Sequence, residues 1–246
     1  MIQVIDRAFN ILEFIASQKE KYSSLTKISI GVDLHKATCS NIVKTMVKRN
    51  YLEKNENHKG YGLGFMFFTL SGDHNDMLPY TLKAKDILKK LRDNIQEGCL
   101  LAVIRGKMRI NIYKTNTSKE LRIIINDEKS AYQTASGRML LSCFTKPQLK
   151  KHVEEFGLPS EEEWSEVKNE ESLVSNLEKI KRDKFCIQES PEGIVGYAIP
   201  IIGSENMIFS LAVFLPNIRW TDKIKKIIQQ EASHTSDLIK TAFFGD

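Results

Sequence analysis

Residues 33–64 read DLHKATCSNIVKTMVKRNYLEKNENHKGYGLG, and they carry six lysines and arginines. Cys39, Ile42, Val43, Met46 and Val47 recur at the three-and-four spacing of a helix stripe from about Lys36 to Arg49. At about 100° per residue, Ala37, Ser40, Asn41, Lys44, Thr45 and Lys48 point the opposite way, with Thr38 at the edge of that polar face. Asp33 tolerates the tight turn before the helix. After it, YLEK and GYGLG are short β-type runs joined by the polar NENHK, the pattern of a hairpin. GYGLG lacks the third glycine of a dinucleotide loop and opens no Rossmann unit, so hairpin geometry explains it better.

Two helices precede this stretch. Ile5, Phe9, Leu12, Ile15 and Ala16 line one expected buried face, and Ser24 is a candidate N-cap for a short helix through Leu25 and Ile28. Three short helices and a hairpin make a winged helix-turn-helix. Its outer helix carries Lys, Ser, Thr and Asn, donors that reach phosphates and base edges, and His58 and Lys59 at the hairpin tip are placed to touch the adjacent backbone. A solvated amphipathic helix explains the outer lysines equally well by themselves; the complete order of elements inside one basic segment favours DNA.

The whole chain has 246 residues, 41% hydrophobic and 27% charged, the composition of an ordinary globular protein, with a net charge of +5. The basic excess is local: residues 1–72 hold 10 Lys and Arg against 6 Asp and Glu, leaving 26 against 25 for the rest. No apolar run approaches the roughly 18 residues of a membrane span, and charged Asp6, Arg7 and Glu13 argue against a signal peptide, so a cytoplasmic protein is expected. Cys39, Cys99, Cys143 and Cys186 are widely spaced and read as small buried hydrophobes; redox sensing through Cys39 is a minor alternative.

GFMFFTLSGDHNDM, residues 64–77, marks a domain boundary, and Pro79 opens a helix striped by Leu82, Ile87, Leu88, Leu91 and Ile95. Beyond it, CLLAVIRG and MRINIYKT form a hairpin turning at Gly106-Lys107, followed by a strand-like LRIII. TASGRMLLSCF, TKPQLKKHVEEFG with Thr145 as cap, and ESLVSNLEKIKRD read as helices; KFCIQES, GYAIPII and MIFSLAVFLP read as strands before a long closing helix. The fold class is α+β: residues 1–72 a winged helix-turn-helix, 73–97 a linker helix, and 98–246 a domain with a mainly antiparallel sheet.

Enzyme signatures are missing. There is no G-x-S-x-G elbow, no H-E-x-x-H and no P-loop, and Asp73 to Asp76 in DHND is better read as solvated loop than as a metal site. His152 and His234 are expected on the surface of amphipathic helices. No catalytic residue, metal or cofactor is expected.

VIDRAFNILEFIA, SLTKIS, KATCSNIVKTMVKRNYLE and GYGLG together resemble the N-terminal domain of the IclR family of bacterial transcription regulators. TASGRMLLSCF and GIVGYAIPII are similar to that family's Ala-Thr-Ala-x-Gly-Lys-x-Leu-Leu helix and Gly-x-x-Cys-Ile-Ala-x-Pro-Ile strand. The resemblance implies a GAF-like effector-binding domain, a homodimer or dimer of dimers, and a partly palindromic double-stranded DNA operator read by half-sites. It points to Lys36, Thr38, Ser40, Asn41, Lys44, Thr45 and Lys48, with His58 and Lys59, as DNA contacts. His35-Lys36-Ala37-Thr38 stands where the family commonly has Pro-Lys-Ser-Thr, and Asn41 replaces a common arginine, so operator sequence does not transfer from relatives.

For the effector pocket the resemblance implies Gly137, Glu189 or Gln188, Gly196, Ala212 and Phe214. Relatives that bind small carboxylates carry small polar donors at several of these places. With those donors gone, the expectation is a more apolar or aromatic ligand, or a pocket filled by Phe214 that needs none. A different class of function stays open beside this one: an α/β protein, small-molecule-binding or enzymatic, that uses its N-terminal module for protein contacts.

Overall fold

The computed structural model describes residues 2–55, 60–64, 66, 77–203 and 207–245. The chain divides into two compact units, residues 1–78 and 79–246.

The first unit has helices α1 (Gln3–Ser17), α2 (Leu25–Gly31) and α3 (Lys36–Lys48), then strands β1 (Leu52–Asn55) and β2 (Gly60–Leu63). Ser24 caps α2, its side chain accepting from Lys27 N at 3.2 Å. Asp33 turns the chain with φ +49, and Asn50 (φ +63) turns it again after α3. Ile11, Leu12, Ile15, Ile28, Cys39, Ile42, Val43, Met46 and Leu52 form one core. β1 and β2 pair antiparallel, and Ser23 joins as a third line, exchanging bonds of 2.9 and 2.8 Å with Tyr61. That crossing explains the glycine spacing of GYGLG: a Cβ on Gly62 would stand 2.7 Å from Lys21 O.

One expectation is corrected here. In α1 the buried face is Ile11, Leu12 and Ile15, while Ile5 (49% exposed), Phe9 (58%) and Ala16 face solvent. The apolar period identifies the helix, but the stripe is wider than the core it meets, and its N-terminal half lies to one side by about a residue's rotation.

In the second unit the sheet order is β5-β4-β3-β8-β7-β6, antiparallel throughout, from β3 (Gly98–Arg105), β4 (Met108–Thr115), β5 (Glu128–Ser130), β6 (Cys186–Glu189), β7 (Ile194–Ile202) and β8 (Ile208–Pro216). Helices α4 (Leu78–Ile95) and α8 (Asp222–Phe244) cover one face, where Tyr80 meets the rings of Phe209 and Phe243 at 5.1 and 4.9 Å and Thr81 Oγ1 donates to Ile112 O at 3.2 Å. Helix α5 (Ala135–Ser142) lies on the other, over Leu100, Ala102, Cys186, Ala198, Ala212 and Phe214. Behind it α6 (Lys146–Phe156) and α7 (Glu170–Asp183) enclose a second cluster around Tyr132, Leu141, Trp164 and Leu173. Thr145 caps α6 in a reciprocal box with Gln148.

Three further expectations change. In α4 the buried row is Thr81, Ala84, Leu88, Leu91 and Ile95, with Leu82 exposed. The LRIII run is not a strand: residues 121–127 are irregular and the sheet's edge is the three-residue β5 beyond them. His152 is buried, not on the surface, set edge-on to Tyr132 and Phe144 and against Phe156.

Candidate functional sites

α3 sends its stripe of Cys39, Ile42, Val43 and Met46 into the core, which fixes the rotation of its other side. Lys36, Asn41, Lys44, Thr45 and Lys48 are exposed, and Thr38 and Ser40 are half-buried at the edges. Thr45 Oγ1 donates to Asn41 O at 2.9 Å, which anchors the hydroxyl on the helix and leaves the Asn41 amide facing outward. The helix contains no acidic residue. Among the described residues none of Lys36, Lys44 and Lys48 is in an ion pair, whereas Lys21 and Lys27 in the same unit lie 3.7 and 3.4 Å from Glu53 and Glu20. An ordinary solvated helix face mixes both signs at neighbouring turns. This one is a row of free cations flanking an amide and hydroxyls. His58 and Lys59 lie outside the described residues.

The second site is a cavity of about 130 Å³ between the start of α5, strands β3, β4, β7 and β8, and the irregular segment 121–127. Of the residues expected there, Gln188, Gly196, Ala212 and Phe214 line it. Phe214 forms one wall beside Gly196 and Gly98, its neighbours across the sheet, and leaves the space open. Gly196 lets α5 approach: a Cβ there would be 3.1 Å from Ala135 Cβ. Gly137 and Glu189 are not in the lining. A Cβ on Gly137 would be 2.2 Å from Ala131 O, so its role is close packing, and Glu189 is exposed, accepting from Asn217 Nδ2 at 2.8 Å. Arg138, where the family motif has lysine, turns away to cover Trp164 at 4.1 Å and donates to Tyr132 O and Glu163 O.

The expectation of a cavity short of donors is corrected. Arg109, Lys129, Gln133, Thr134, Ser136 and Ser190 all line it, and none was picked out from the sequence. Arg109 and Asn111 alternate with Ile110 and Ile112 along β4, so a period-two reading sends them to solvent; instead both are buried. Segment 121–127 covers them. It is tied at one end by buried Glu97, which takes Arg219 and Lys119 at 2.7 Å while Arg219 also donates to Leu121 O, and at the other by Lys114 to Ile125 O and Asp127.

Residues 77–241 match the family described as the C-terminal domain of the bacterial transcriptional regulator IclR, and residues 4–56 match the IclR helix-turn-helix domain. The chain belongs to the IclR family. As an IclR-family regulator it pairs a DNA-binding helix-turn-helix with an effector-binding C-terminal domain. It is 22% identical over 216 residues, 85% of this chain and 84% of the other, to the HTH-type transcriptional regulator XynR of Escherichia coli. Its fold is that of the Thermotoga maritima IclR (TM-score 0.62, 16% identity, all of both chains). It is also that of an IclR homolog from Microbacterium hydrocarbonoxydans crystallised with 4-hydroxybenzoate (TM-score 0.60, 17% identity, 97% of this chain and 98% of that one). No helix among the described residues is long and apolar enough to cross a membrane.

Proposed function

We propose that α3 of this IclR-family protein enters the major groove of a partly palindromic operator, with Lys36, Lys44 and Lys48 on phosphates, Thr38, Ser40 and Thr45 at the groove's edges, and Asn41 reading an adenine. His58 and Lys59 of the hairpin meet the neighbouring backbone. The observation that carries this reading is the exposed, acid-free face of α3, whose three lysines have no ion-pair partner among the described residues. Residues 1–72 act as the DNA-binding module, 73–97 as a connecting helix and 98–246 as the effector module.

The protein acts in the cytoplasm by binding, without catalysis or cofactor. Two copies or a dimer of dimers hold the paired reading heads, and the exposed Val4, Ile5 and Phe9 of α1 offer an apolar surface for that self-association. A small molecule in the cavity then changes the weight of arrangements with different reading-head spacing. Protection of the DNA upstream of the protein's own gene tests the reading. Wild-type protein is expected to protect a two-part site there, and Asn41→Ala to weaken binding by about 1–3 kcal/mol while relaxing discrimination at one base pair in each half. Wild-type affinity of Asn41→Ala, with discrimination unchanged at every base pair, would count against it.

A further inference from the structure

Arg109 is the largest fully buried side chain among the described residues, 1% exposed, and it lines the cavity. Its five donors are poorly used. One terminal nitrogen donates to Asn111 Oδ1; both reach Asn126 O only at 3.5 Å; Nε is buried with no hydrogen-bond partner among the described residues. All of these partners are neutral. Asp127, the carboxylate whose field reaches Arg109, is held by Lys114 at 2.7 Å. Burial pushes the guanidinium down to about 10, opposed by Asp127, which still leaves it charged at neutral pH.

A buried charge is tolerated when it is paired and fully hydrogen-bonded, and a guanidinium is matched best by a carboxylate that takes two parallel bonds. Lys129 adds a second cation to the lining, and among the described residues no carboxylate lines the cavity. The rest of the lining includes the apolar Leu100, Ile125, Ile194 and Phe214. A dry cavity of about 150 Å³ holds a benzene ring, so the space here suits one ring or a short chain.

Building on the reading of the cavity as the effector site, we propose that it takes a small organic monocarboxylate with an apolar body, whose carboxylate pairs with the Arg109 guanidinium. Binding then completes a half-made pair and competes with Asn126 O for the same donors. The part of the ligand that answers the sequence expectation is its apolar body; its charged end answers Arg109.

Titration calorimetry on the full chain with benzoate and benzamide, which share shape and differ in charge, tests this. Wild-type protein is expected to bind benzoate about 10–100-fold more tightly than benzamide, the range that charge-assisted hydrogen bonds supply. Arg109→Gln erases that preference and leaves benzamide binding within a few-fold; Arg109→Lys, which keeps the charge and loses the fork, retains part of it. Benzoate is also expected to shift one arginine Nε–H resonance that is missing from the Arg109→Lys spectrum. Should Arg109→Gln fail to fold, the acid-to-amide ratio of the wild type and the Arg109→Lys spectrum decide. Equal binding of acid and amide, or a preference surviving in Arg109→Gln, overturns the anion assignment and leaves the cavity as a ligand site. If benzoate, hexanoate, pyruvate and their amides all fail to bind, both readings fall.

Discussion

The outer face of α3 and the cavity of the second unit are built in opposite ways. The face is made by one helix: thirteen consecutive residues place every group, and the core beneath only sets the rotation. The cavity is made by register: β4, β7 and β8, the first turn of α5 and an irregular segment each supply one to three lining residues. A local site exposes its chemistry and tolerates change without unfolding, whereas a register-built site ties chemistry to packing.

That contrast can be broken by substitution. Gly137→Ala is expected to have the largest effect on stability, about 3 kcal/mol, because its Cβ meets backbone at Ala131 rather than a yielding side chain. Lys44→Ala on α3 is expected to stay within about 0.5 kcal/mol; denaturant unfolding measures both, and similar losses would erase the distinction. Ser24→Ala, which removes the α2 cap, is expected to cost about 1 kcal/mol, felt by the first unit alone.

The smallest effect concerns pH. Burial among aromatic rings lowers the affinity of His152 for a proton, with Glu155 opposing, so the folded state binds fewer protons there than the unfolded chain. The contribution is therefore present above the ordinary histidine pKa of about 6.5 and is lost as pH falls below it. His152→Phe is expected to flatten the midpoint of thermal unfolding between pH 7 and 5; an unchanged slope would show that other groups carry it.

The same contrast explains what was legible. The three helices and hairpin of the first unit, the rotation of α3 and the order of elements in the second followed from apolar period, caps and glycines, and the resemblance followed from motifs lying on single elements. In α1, Ile5 and Phe9 satisfied the period without reaching the core, since period alone does not say how wide the facing surface is. Arg109 was hidden because strand alternation assigns a lone charged residue to solvent, and nothing near it in sequence announces that residues 121–127 close over it. Gly196 and Phe214, both implied by the family resemblance, line the cavity, while Gly137 and Glu189, implied by it as well, are not in the lining.

The central claim is that α3 meets DNA through its exposed lysines, and the salt dependence of operator binding tests it most directly. For Lys36→Ala, Lys44→Ala and Lys48→Ala combined, the slope of log affinity against log salt is expected to fall by about 3, with binding weaker by about 10²-fold at roughly 0.15 M salt. A triple variant that binds the same DNA with the wild-type slope would contradict the account.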